Sequence, residues 1–163
     1  MNVKPRKFDP EKFLTTIGKG RQTVSFPKKE TVFAQGSPAD SVFYIQAGAV
    51  KLTVVSKGGK EATIGILHPR NLFGESCLAG QPLRMSSATT MTECSLIRID
   101  RKSMLDMLHR ESEFADMFVS YLLARNIRYE ADLVTNFSTQ AKYGWPESYC
   151  SWRNSEKRDG KTA

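Results

Sequence analysis

The spacing of apolar residues changes character twice along this chain. From Gln22 to Ile99 they come in short runs separated by turn residues. Thr23–Phe26, Thr31–Ala34, Val42–Ile45, Val50–Val55 and Ala62–Leu67 predict strands, as do Ala88–Thr92 and Ser95–Ile99. Pro27–Glu30 and Ala47–Gly48 supply turns, Gln35–Asp40 a loop, and Lys57-Gly58-Gly59-Lys60 a hairpin. After Asp100, an available N-cap, Met104, Leu105 and Leu108 recur at helical spacing. Ser112 can cap a second, longer helix with a stripe of Phe114, Met117, Phe118, Tyr121, Leu122 and Ile127. That stripe fits packing on the protein's own sheet and fits a dimer seam equally well. Ahead of the strands, Asp9 and Pro10 open a short helix, Phe8 and Phe13 have the spacing of a hydrophobic staple, and Gly18 and Gly20 end it.

The predicted class is therefore mainly β with flanking helices, a sandwich or barrel. Four segments follow: an arm and short helix over 1–20, the β body over 21–110, a long helix over 111–134 and an atypical tail over 135–163. The periodicity stops at Thr135, yet the tail holds both tryptophans, Trp145 and Trp152. Its composition predicts disorder.

At 163 residues the length suits one domain. No apolar run approaches the roughly 18–20 residues of a membrane helix. The basic N-terminus lacks the apolar segment of a signal peptide, so a cytoplasmic protein is expected. The net charge of +7 suggests nucleic acid until it is divided along the chain. Residues 1–30 carry 8 basic and 3 acidic side chains, residues 31–137 carry 11 of each, and residues 138–163 carry 5 and 3. The body is neutral and the charge sits at the ends, which is no basic groove. Cys77, Cys94 and Cys150 are too few and scattered for a disulfide framework, and they predict single buried thiols. Two histidines, His68 and His109, make no metal cage, so neither a metal nor an enzyme is expected.

Candidate chemistry lies in Phe73-Gly74-Glu75-Ser76-Cys77 and the residues after it. A glycine precedes a short helical turn whose free amides can hold an anion. Glu75 is either a solvated cap or an acceptor for sugar hydroxyls. Arg84, Ser86 and Ser87 add donors a few residues later.

Gln22 to about Val134 resembles the sensor half of Crp/Fnr-type bacterial transcription regulators. The resemblance is carried by Phe43-Tyr44-Ile45-Gln46-Ala47-Gly48-Ala49-Val50-Lys51-Leu52, by Gly58-Gly59-Lys60-Glu61-Ala62 and by Phe73-Gly74-Glu75. It implies a cyclic-nucleotide-binding jelly roll (a double-stranded β-helix), then a long dimerisation helix over 111–134 that makes a homodimer. It also implies a small effector such as cAMP or cGMP, or another small molecule. Gly74 then matches the glycine whose amide approaches the ligand, and Glu75 the carboxylate that takes the ribose hydroxyl. The family pattern continues with Arg-Ser/Thr-Ala for the cyclic phosphate. Aligned on Ser87-Ala88-Thr89, the arginine position holds Ser86, and Arg84 lies two residues earlier. On a strand that offset keeps the face but moves the side chain by roughly 6–7 Å. Contact by Arg84 therefore requires the loop to fold back, and an altered phosphate site is expected. The purine-facing place on the long helix falls near Arg128 and Tyr129, a departure from the small hydroxyl residues of cAMP responders. The cysteine cluster of an iron–sulfur sensor is missing from residues 1–30, and His68 before Pro69 suits a loop better than haem.

In the family a helix-turn-helix follows. Here Val134 is followed by Thr135-Asn136-Phe137-Ser138. Back-translated and read one base earlier, the tail is compatible with D-Q-L-F-N-S-S-E-I-R-L-A-R-V-L-L-L-L-A-K-F-G-K, the family's hinge and following helix. Trp145/Pro146 then forces Ala, and Tyr149/Cys150 forces Leu. This points to a frameshift near Val134 and a chain without its DNA reader, so DNA binding by this chain alone is not expected. A divergent tail is the other reading, and the coding DNA decides. The functional expectation is an effector-sensing domain. The alternative is a ligand-independent dimerisation module that pairs with intact regulators as a dominant-negative partner.

Overall fold

The computed structural model describes Leu14 and residues 20–140, with side chains through Asp132. Eight strands form: β1 (Arg21–Phe26), β2 (Thr31–Phe33), β3 (Ser41–Ala47), β4 (Val50–Val55), β5 (Glu61–Leu67), β6 (Leu72–Phe73), β7 (Ser87–Thr90) and β8 (Cys94–Asp100). They make two antiparallel four-stranded sheets, ordered β1-β8-β3-β6 and β2-β7-β4-β5. Phe43, Ile45, Phe73 and Leu96 of the first sheet meet Val50, Leu52, Leu67 and Ala88 of the second in one core. Phe26, Val32 and Phe33 pack against it. β3 is buried from Ser41 through Ile45, with a 3₁₀ turn (Glu75–Ala79) and helix α1 (Arg101–Arg110) among its neighbours. β5 is an edge strand, and Ile64 and Ile66 on it are exposed.

The turns carry the geometry their residues allow. In the β4–β5 hairpin the Gly59 amide bonds to Ser56 O at 2.9 Å with φ +79°, a conformation glycine adopts without steric cost. At Gly48 (φ +92°) a side chain would run into the backbone of Glu93 and Cys94, so only glycine lets β3 turn into β4 there.

A second helix, α2 (Ser112–Gln140), follows α1, and the chain divides into two compact units, 1–116 and 117–163. Phe114 and Phe118 are buried on α2, whereas Val119, Leu123 and Ile127 are 53%, 59% and 65% exposed. Of the stripe read from sequence, Phe114 and Phe118 are buried, Met117, Tyr121 and Leu122 are half-buried and Ile127 is exposed, while Val119 and Leu123 lie outside that stripe. In the second unit Arg125 lies 5.8 Å from the Tyr121 ring centre and 5.7 Å from that of Tyr129, one turn away on either side.

Several expectations are corrected. The helix does not stop at Val134 but continues to Gln140. Thr135–Gln140 contains neither proline nor glycine, so nothing breaks the backbone ladder, although the apolar period has ended. β7 ends at Thr90 rather than Thr92, and the two-residue β6 had no sequence signal. Asp100 occupies the N-cap position of α1 without a side-chain cap bond; its carboxylate lies 3.8 Å from Arg98 instead. Cys77 and Cys94 are free and buried. Of the short helix expected between Asp9 and Gly18 only Leu14 is described, and it is helical and fully buried; Cys150 and the tail beyond Gln140 lie outside the described residues.

Candidate ligand-binding site

Gly74 ends β6 and stands at the N-cap of the 3₁₀ turn, with φ +79° and ψ 14°. A Cβ at this position would lie 2.7 Å from Arg84 Nη1, 3.3 Å from the Ser41 carbonyl and 3.5 Å from the Phe33 ring. Glycine is thus required twice, by the left-handed backbone and by the guanidinium that fills the space beside it. The first-turn residue Glu75 is half-buried, and Gly80, again left-handed, closes the turn.

Residues 81–86 then form a loop, not a strand. It lies beside the loop before β3. The Arg84 amide donates to Ser37 O at 2.8 Å, Gly36 N donates to Arg84 O at 2.8 Å, and Ala39 N donates to Pro82 O at 2.9 Å. This backbone pairing turns the Arg84 side chain inward, where the residue is 3% exposed. Its Nη1 donates to the Gly74 carbonyl at 3.1 Å and its Nη2 to Ser41 Oγ at 3.1 Å. Asp40 Oδ1 is 3.6 Å from Nη2. The guanidinium carbon sits 4.3 Å from the centre of the Phe33 ring. Nε is buried and has no acceptor among the described residues. Burial pushes the Arg84 pKa down from its ordinary value, while Cys77 and Asp40 act the other way. Burial in turn raises the Cys77 thiol.

The strand offset expected for Arg84 does not apply, because β7 begins only at Ser87. The structure brings Arg84 to Gly74. Ser86 is half-buried just ahead of β7. Ser87 Oγ accepts a bond from the Gln35 amide at 2.9 Å, so this hydroxyl already helps hold the loop. The Gln35 side chain pairs both ways with the Val55 backbone, at 3.1 and 2.8 Å. Glu75 does not cap the turn with its side chain; Gly74 holds that position. Arg128 is exposed on α2 and Tyr129 is half-buried there. Sequence reasoning missed Asp40, Ser41 and Arg98, which surround Arg84. The Asp-Ser pair just ahead of an apolar run was the only available signal.

With this geometry in hand, comparison with known proteins defines the class. The family model of the cyclic nucleotide-binding domain matches residues 23–111. Over 115 residues the chain is 33% identical to the CRP-like cAMP-activated global transcriptional regulator of Mycobacterium tuberculosis, covering 71% of this chain and 51% of that protein. The crystal structure of Thermus thermophilus catabolite activator protein superposes with a TM-score of 0.64 at 28% identity, covering 82% of this chain and 62% of that one. The c-di-GMP responsive regulator CLP of Xanthomonas campestris superposes with a TM-score of 0.70 at 21% identity, over 81% and 63% of the two chains, and shows the fold alone. The two sheets are thus the jelly roll of these regulators. The chain belongs to the cyclic nucleotide-binding domain family, and its relatives include Crp/Fnr-type transcription regulators. It spans about half the length of the curated relatives it matches.

Proposed function

We propose that this chain is the effector-sensing part of a Crp/Fnr-type regulator and that it binds a cyclic nucleotide through the cyclic phosphate at Arg84. The observation that carries this reading is the buried guanidinium beside Gly74, whose Nε lacks any acceptor among the described residues. A buried donor left unmade costs about 1–3 kcal/mol, and more when charged. An anion with several oxygens supplies the missing acceptor and offsets the buried charge. Glu75, one residue on, is a hydroxyl acceptor for a ribose, and Ser86 and Ser87 offer further hydroxyls. A cAMP-activated relative supports cAMP as the first effector to test, with cGMP as the comparison. Arg128 and Tyr129 remain candidates for the base, argued from the family pattern alone.

Calorimetric titration of the folded protein with cAMP and cGMP tests the proposal. Saturable binding of either, weakened at least about tenfold but still measurable on Arg84→Ala with the fold retained, is expected. A folded protein that binds neither overturns it.

The exposed Val119, Leu123 and Ile127, four residues apart on α2, favour a second role in homodimer formation, or in pairing with intact regulators as a ligand-independent module. Sedimentation equilibrium with Leu123→Glu tests the homodimer: a wild-type monomer at tens of micromolar refutes it. A pull-down with an intact relative that shows no association refutes the mixed pair.

A further inference from the structure

Building on the cyclic-phosphate reading, we infer that Ser41 is a positioning residue for Arg84: it fixes the guanidinium for the phosphate without itself meeting ligand. Ser41 is 1% exposed and is the first residue of β3. Its hydroxyl accepts from Arg84 Nη2 at 3.1 Å and from Arg98 Nε at 3.1 Å, and it donates to Asp40 Oδ1 at 2.8 Å. A serine hydroxyl has one donor and two acceptor sites, so all are in use and none is left for a ligand. The groups it holds are themselves fixed. Asp40 Oδ2 accepts from Arg98 Nη2 at 2.8 Å, and the Asp40 carbonyl accepts the Arg101 amide, where α1 begins, at 2.8 Å. Arg98 is held within β8, opposite Phe43 of β3.

The consequence for Arg84 is geometric. Nη1 is committed to Gly74, Nη2 to Ser41, and the flat face to Phe33. With three sides held, the unpartnered Nε keeps one orientation before any ligand arrives, so less side-chain freedom is lost on binding. Without the Ser41 oxygen, Arg84 Nη2 and Arg98 Nε both lose their acceptor there. Two cations that shared a neutral pivot then have only Asp40 in common, at 3.6 Å from Arg84 and 2.8 Å from Arg98.

A double-mutant cycle on cAMP binding, read by calorimetry on protein whose thermal unfolding shows it folded, tests the assignment. Ser41→Ala is expected to weaken cAMP binding about tenfold in the wild-type background and to change it less than about twofold in an Arg84→Ala background. If Ser41→Ala does not fold, Arg98→Met at the more exposed end of the network takes its place, with about a threefold loss that again vanishes without Arg84. An equal loss in both backgrounds, or no loss in the first, overturns the positioning role while leaving the binding reading intact. Wild-type protein that binds no cyclic nucleotide overturns the binding reading, and the positioning role falls with it.

Discussion

Replacing Gly74 by alanine separates two costs that the structure places on one residue. The first is conformational. A non-glycine residue at φ +79° costs about 1–2 kcal/mol in the left-handed region. Gly59, in the β4–β5 hairpin, has the same φ of +79° but nothing within 4 Å of an added Cβ, so Gly59→Ala measures this cost alone. The second is specific to Gly74. Its new Cβ would lie 2.7 Å from Arg84 Nη1, and that end of the side chain is not free to swing, because Ser41, Asp40 and Phe33 hold it. Arg84 must then give up its bond to the Gly74 carbonyl, a charged hydrogen bond of about 1.5–3 kcal/mol. Gly74→Ala is therefore expected to cost about 2.5–5 kcal/mol and Gly59→Ala about 1–2 kcal/mol. Urea unfolding followed by far-UV circular dichroism reads both, with an unchanged m-value as the check on two-state behaviour. In an Arg84→Ala background the Gly74 cost should fall towards the Gly59 value, with the Ser41 carbonyl 3.3 Å from the new Cβ as the remaining close contact. Equal costs for the two glycines in the wild-type background, within about 0.5 kcal/mol, would refute the reasoning.

Phe73 is fully buried, stacked on Phe43 at 5.3 Å and 5.8 Å from Phe33, so Phe73→Ala should cost about 3–5 kcal/mol in the same unfolding assay; a loss below about 1 kcal/mol contradicts the packing described. Gly48→Ala should leave too little folded protein to purify, because the atoms in its way belong largely to backbone that cannot rotate aside; a soluble variant with near-native melting counts against this. Asp40 is held below the ordinary aspartate range by the Ser41 hydroxyl first, then by Arg98 and Arg84, against the opposing effect of burial. A depressed folded-state pKa contributes stability that is present above the unfolded value and lost as pH falls through the folded one. The stability gap between wild type and Asp40→Asn should thus be flat near neutral pH and close in acid, with a carbon-detected NMR titration of Asp40 giving a midpoint below that of an unfolded peptide.

The strands were legible because short apolar runs are separated by turn residues: Val50–Val55 and Ala62–Leu67 flank a Gly-Gly turn, and that hairpin stands as expected. What escaped was set by contacts that leave no period. β6 has two residues, too few for any alternation. The last turns of α2 continue through Thr135–Gln140 by backbone hydrogen bonding, which needs no apolar stripe. The inward turn of Arg84 depends on amide and carbonyl groups of Gly36, Ser37 and Pro82, and any sequence without a poorly placed proline offers those. Reading Arg84 as a strand residue therefore displaced its side chain along the strand, whereas the loop folds back and brings it to Gly74. Arg98 looked like an ordinary polar position of a strand, and only the three-dimensional neighbourhood joins it to Ser41 and Asp40.

The charge pattern and the buried arginine together predict an unusual salt response. Residues 31–137 carry equal numbers of basic and acidic side chains, so attraction of an anionic effector does not come from a broad positive surface. Under the cyclic-phosphate proposal it comes from one guanidinium that is 3% exposed. Mobile ions screen exposed charges strongly and buried ones much less, even as the Debye length falls from about 10 Å at 0.1 M to about 3 Å at 1 M salt. Under the cyclic-phosphate proposal, cAMP affinity should change less than about threefold across that range. A surface site of several lysines would weaken far more, because each screened charge adds to the slope. Calorimetric titrations at the two salt concentrations with a chloride salt decide the matter. A steep loss in 1 M salt that persists in Arg84→Ala would assign the attraction to surface charge and remove Arg84 from the centre of the site.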